Sequence, residues 1–201
     1  MSRHDNPAAG FGAPAGLDGL QRTIQGAGIR NFSAAEVCRL NPARIVPPEP
    51  TMVVPPKDFW PSIIPTLRLA ERMRAAWVDD VKLRGGDVTR AGIAVVSGYR
   101  PPWYNTRVGG ALQSQHMRFT ALDLRPVNNE LGHFMRVASM TVASERDLKA
   151  VGYGRYDTFI HVDTGRNVFT QWDNRSQQAK ARDARFAVGG DKINDTAPEG
   201  E

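Results

Sequence analysis

Cysteine is almost missing from this chain: Cys38 is the single thiol in 201 residues. No intrachain disulfide can form and no thiolate-rich metal site is available, so a buried small hydrophobe is its expected role. Nowhere do 18 apolar residues run together, which leaves no expected membrane span. The opening Met1-Ser2-Arg3-His4-Asp5-Asn6 leads into Pro, Ala and Gly rather than an apolar core and cleavage site. The expectation is that no standard signal peptide exports the chain. Zinc-finger and aromatic RNA-binding signatures are also lacking. A net charge of +5 and a pI near 9.7 could favour an anionic partner, yet without such a motif nucleic acid is not expected as one.

What is present is a globular composition, 41% hydrophobic and 23% charged, with room for one core. Residues 1–28 are rich in Gly, Ala and Pro, and Leu17, Leu20 and Ile24 are too thinly spread to build a face; a flexible arm is expected there, with order beginning near Phe32. Ser33 and Glu36 have capping-box spacing. Pro47 to Pro61 reads as an extended surface connection. From Ser62, Ile63, Leu67, Ala70, Met73, Trp77 and Val81 recur at steps of three and four, the pattern of the main amphipathic helix, which Gly85-Gly86 ends. Ile93 to Val96 reads as a buried strand delivering Ser97 to Arg100 at its end. A short helix follows Pro101-Pro102, a second strand spans Ala121 to Leu124, and a helix covers Glu130 to Met140. Gly152-Tyr153-Gly154 reads as a turn and Phe159 to Val162 as a third strand. Residues 174–201 read as a polar, disordered tail.

Of the four histidines, His4 falls in the arm and His133 in the polar part of a helix. His116 and His161 each have a carboxylate close in sequence, and strand alternation puts His161 and Asp163 on one face, about 6 to 7 Å apart. Two histidines and Asp123 suit a three-ligand zinc site with an open fourth position. The spacing by itself is not a self-sufficient motif. It equally allows His116 to pair with Asp123 across a loop and His161 to be a hydrogen-bonded strand histidine.

From Phe32 to Trp172, about 70% of the chain, the sequence resembles the D-alanyl-D-alanine carboxypeptidase family of zinc peptidases. That group includes the vancomycin-resistance dipeptidases, phage L-alanyl-D-glutamate endopeptidases, murein endopeptidases and the Hedgehog signalling domain. The matching segments are Ser97-Gly98-Tyr99-Arg100-Pro101, Asn105 to Gly110, Ser114-Gln115-His116, Ala121-Leu122-Asp123, and Val151 to Gly154 leading to Phe159-Ile160-His161-Val162-Asp163-Thr164-Gly165. The order histidine, apolar residue, aspartate, threonine, glycine is nearest to the murein endopeptidase branch. The resemblance implies that His116, Asp123 and His161 hold zinc. It also implies that Arg100 reaches into the cleft, to stabilise an oxyanion or hold a substrate carboxylate. Ser114 and Tyr99 are further candidates for substrate contact, whereas Trp103 and Trp172 read as packing residues. Relatives commonly carry an acid shortly before the last histidine. Here Asp157 stands four positions earlier and Asp163 two positions later, and both stay open as the general base. Phe119 stands where the family usually has glycine, which puts the loop between the first two ligands in question.

The expected fold is one α+β domain over residues 29–173, a small, mainly antiparallel sheet with the site on one face and helices on the other. The expected activity is zinc-dependent hydrolysis of a peptide bond in peptidoglycan, as carboxypeptidase or endopeptidase. The protein would accumulate in the cytoplasm or be released, endolysin-like, to the cell wall. The alternative is a non-catalytic zinc-containing binding domain, or a virion- or lysis-associated one, of the same fold.

Overall fold

A computed structural model of the chain describes residues 14–144 and 150–181. Of the expected arm over residues 1–28, residues 1–13 lie outside the described residues, as do residues 182–201 of the expected disordered tail over 174–201; residues 177–181 of that tail are helical, with Ala179 buried. The architecture is mixed α+β. Its helices are α1 (Leu17–Gly26), α2 (Ala34–Cys38), α3 (Ile64–Leu83), α4 (Pro102–Arg107) and α5 (Leu131–Ser144). The mainly antiparallel sheet has strands β1 (Ile93–Ser97), β2 (Ala121–Pro126), β3 (Gly152–Arg155), β4 (Ile160–Asp163) and β5 (Thr170–Asp173), in the order β1-β2-β4-β3-β5. Contacts gather the chain into two compact units, Met1–Glu71 with Ser97–Leu122, and Arg72–Val96 with Asp123–Glu201.

In the first unit the expectation of an arm reaching residue 28 gives way to helix α1. Leu20 and Ile24, one turn apart, are both fully buried. Three apolar residues in ten, Leu17, Leu20 and Ile24, are a weak periodic signal, and the face is completed by distant chain. Gly19 lies against the Trp60 ring, and the amide of Ala34 donates to Gln21 Oε1 at 2.8 Å. Trp60 belongs to a 3₁₀ segment, Lys57–Ile63, so the proline-rich stretch is not extended to its end as expected. Pro61 lies inside this segment, where its missing N–H leaves one backbone hydrogen bond unmade. The capping box of α2 forms as expected: Ser33 Oγ accepts from the Glu36 amide and Glu36 Oε2 accepts from the Ser33 amide. Cys38 is buried, and desolvation pushes its thiol up to about 12.

The main helix, α3, buries Leu67, Ala70, Met73, Trp77 and Val81, with Ile63 buried just before it. In the second unit Trp77 packs edge-on against Phe134 of α5 with ring centroids 5.7 Å apart, and Tyr153 OH donates to the Met135 carbonyl at 2.8 Å. This fixes the faces of the sheet. Tyr153 on β3 pairs with Val162 on β4 and points at α5; Gly154 pairs with His161 on β4 and with Trp172 on β5, so these lie on the opposite face. The expected turn at Gly152-Tyr153-Gly154 is therefore a strand. Its glycines serve close approach: a β-carbon on Gly152 would occupy the space of the Asp163 carboxylate and the Arg166 guanidinium. Strand β5, parallel to β3, is a second element not expected from the sequence.

If α1 is part of the folded core, Leu20→Ala should destabilise the protein by about 2–5 kcal/mol in urea unfolding. A change within about 0.5 kcal/mol, typical of surface sites, would show that the helix is not docked.

Candidate metal centre

The stretch after β1 builds the seat of His116. The Tyr99 amide donates to the Val37 carbonyl at 2.7 Å, and this draws Gly98 so close to Val37 that a β-carbon there would collide with the backbone. So seated, the Gly98 carbonyl faces His116 Nδ1 at 2.8 Å. A carbonyl only accepts, so Nδ1 carries the proton and Nε2 keeps its lone pair for a metal. The Arg100 amide donates to the His116 carbonyl at 3.2 Å, and Arg100 Nε donates to Ser97 Oγ at 2.8 Å. Ser97-Gly98-Tyr99-Arg100 is thus a local scaffold in which each residue has a distinct structural job.

Past His116 the loop turns through Phe119, whose φ is 56°. This is the left-handed region in which glycine is at ease and other residues lose about 1–2 kcal/mol. Phenylalanine holds it because its ring is fully buried and meets Tyr99 edge-on at 5.8 Å. The departure from glycine therefore leaves the required backbone conformation in place. Tyr99, a candidate for substrate contact, is 6% exposed and packs its ring against Phe119. Ser114 is likewise committed to the turn, its Oγ accepting from the His116 amide at 3.3 Å.

On the sheet, His161 lies between two carboxylates. Nδ1 is 3.0 Å from Asp123 Oδ1 and Nε2 is 3.1 Å from Asp163 Oδ2, and Arg166 Nε donates to the same Asp163 oxygen at 2.8 Å. Asp123 and Asp163 are 2% and 0% exposed. Burial works against charge on His161, but Asp123 and Asp163 outweigh it and raise the imidazole above its ordinary 6.5. Burial likewise resists ionisation of Asp163, but His161 and Arg166 hold it below its ordinary 3.8. With Nε2–H directed at Asp163, Nδ1 is the nitrogen that faces Asp123, as a carboxylate-oriented metal ligand requires.

The ligand atoms of His116, Asp123 and His161 all lie within 4.8 Å of one another. Two neutral imidazole nitrogens with fixed tautomers and one carboxylate oxygen are a fitting donor set for a divalent metal. The family model described as Peptidase M15 matches residues 58–163, just over half of the chain, and spans all three of these residues. The chain belongs to the peptidase M15 family. No curated protein matches it. In this M15 domain the metal-dependent chemistry of the family has one triad of donors among the described residues.

The two aspartates left open as general base are placed very differently. Asp157 is exposed, and its carboxylate accepts the Ser176 amide at 2.8 Å. Asp163 adjoins His161, and its Oδ1 is buried without a hydrogen-bond partner. Arg166, three residues past Asp163, was not singled out by the sequence; the alternation of acid and base in Asp163-Thr164-Gly165-Arg166 was the available signal. Trp172 does pack, its ring 5.4 Å from the His161 ring with the Arg166 guanidinium 4.8 Å from its centroid.

Two outcomes follow from this geometry. Phe119→Gly removes a buried ring worth about 3–5 kcal/mol and relieves about 1–2 kcal/mol of backbone strain. Urea unfolding should show a net loss of about 1–4 kcal/mol, with metal stoichiometry retained when measured below the transition. Asp163→Asn should weaken zinc binding about 10–100-fold in a chelator competition, the usual effect of losing a ligand's orienting partner, whereas Asp157→Asn should leave it unchanged. Equal affinities in the two variants would remove Asp163 from the centre.

Proposed function

We propose that this M15 domain is a zinc-dependent peptidase that cleaves a peptide bond in peptidoglycan stem peptides or cross-links, as a carboxypeptidase or endopeptidase of the murein endopeptidase type. The observation that carries this reading is the triad of His116, Asp123 and His161, with each histidine tautomer set by a separate acceptor. Zinc held by these three residues would supply Lewis acidity toward the scissile carbonyl and acidify water. Arg100, whose backbone amide donates to the His116 carbonyl, is the cation assigned to the substrate. Its role is to receive negative charge on the carbonyl oxygen or to hold a substrate carboxylate. Asp163 orients His161 through Oδ2, and its unpartnered Oδ1 is the group assigned to accept the water proton and return it to the leaving amine. Asp157 has no place in this scheme. No helix among the described residues is long and apolar enough to cross a membrane.

The purified protein should bind about one zinc per chain, and His116→Ala should lose it. Digestion of purified peptidoglycan, with product masses read by mass spectrometry, identifies the bond. Arg100→Lys keeps the charge but not the planar donor pair. A fall in kcat of about 10² at unchanged zinc content assigns Arg100 to the transition state, whereas a rise in KM alone assigns it to substrate grip. Zinc-loaded protein that releases no peptide product would instead support the non-catalytic binding domain.

A further inference from the structure

The α5 side of the sheet holds a cavity of about 910 Å³ within the second unit. Its lining residues include Arg125, Arg136, Arg155 and Arg175, and two acids, Glu130 and Asp157. Both acids are engaged: Glu130 pairs with Arg84 at 2.8 Å, and Asp157 accepts the Ser176 amide. Arg175 spends its charge on Asp173, whose carboxyl it holds down to about 2. Arg155 also acts on Asp173, through space and more weakly. It lies on β3 two residues from Tyr153 and so on the α5 face, and its Nε is buried with no hydrogen-bond partner. Buried donors of a cation are rarely left without an acceptor, and an unfilled one calls for an occupant. Arg136 is exposed at the rim, where it donates to His133 Nδ1 at 2.9 Å. Leu131, Met135 and Met140 supply an apolar wall. The volume suits a small organic molecule.

We infer that this cavity is an oxyanion-binding site, distinct from the metal centre, that takes a phosphate- or carboxylate-bearing small molecule, with Arg155 as its inner anchor and Arg136 at its mouth. Guanidinium groups present two parallel donors that fit either oxyanion, so the chemistry is shared and the source is decided by experiment. The site lies on the face opposite His161 and Trp172, and its occupancy is therefore independent of the proposed peptidase chemistry.

Calorimetric titration of the zinc-loaded protein at fixed ionic strength, once with inorganic phosphate and once with succinate, tests this. Saturable binding is expected in at least one arm, and the tighter arm names the ligand class. Arg155→Gln and, separately, the exposed Arg136→Gln should each weaken that binding about tenfold or more, the scale of a lost charge-assisted hydrogen bond, with the thermal midpoint of the Arg136 variant unchanged. His116→Ala, which removes the proposed metal site, should bind the anion as the parent does. No saturable binding in either arm, binding unaltered in both arginine variants, or loss of binding in His116→Ala would each overturn the proposal.

Discussion

Two carboxylates buried against one imidazole set the terms for the rest of this structure. A lone ionised carboxylate in a protein interior is strongly unfavourable, and it persists only when cations and hydrogen-bond donors surround it. Asp163, fully buried, is held by Arg166 and by His161; Asp123 is held by the other edge of the same imidazole. Asp123 and Asp163 together raise the His161 imidazole above its ordinary 6.5 despite its burial. A divalent ion held by the triad would supply compensating positive charge at the same place.

The backbone around this charge cluster is shaped by close approach. Gly98 lets the chain lie on the Val37 carbonyl and so present its own carbonyl to His116. Gly152 leaves the volume that Asp163 and Arg166 fill. Phe119 reaches the same kind of end by another route. Its left-handed backbone is unfavourable for phenylalanine, and the buried ring contact with Tyr99 offsets that cost. Orientation of the first histidine thus depends on packing in the turn that directly follows it, where the Phe119 amide donates to the His116 carbonyl.

The sheet divides labour between its faces. Alternation along β3 and β4 sends His161, Asp163 and the Trp172 contact to one side, while Tyr153 and Arg155 face α5 on the other. The second face carries the helix packing that stabilises the sheet and also the arginine-lined cavity. Asp157 illustrates the division. Four residues from His161 in sequence, it is drawn to the Ser176 amide and the cavity side, away from the chemistry that proximity in the chain suggested.

The sequence by itself determined the long helix, the strand before Ser97, the capping box and the triad. Each rests on local periodicity or on residue types whose chemistry is specific: Leu67, Met73 and Trp77 at helical steps, Ser33 with Glu36, and His116, Asp123 and His161 within family-like segments. Tertiary structure alone decided the features whose causes lie far away in the chain. Helix α1 has too few apolar residues to announce itself and forms because Trp60 and Ala34 complete its surroundings. Strand β3 reads as a turn because its two glycines break every local strand signal, and only the cross-strand bulk of Asp163, Arg166 and Trp172 explains them. The choice between Asp157 and Asp163 could not be made along the chain, because strand parity and a distant amide determine which carboxylate meets the imidazole.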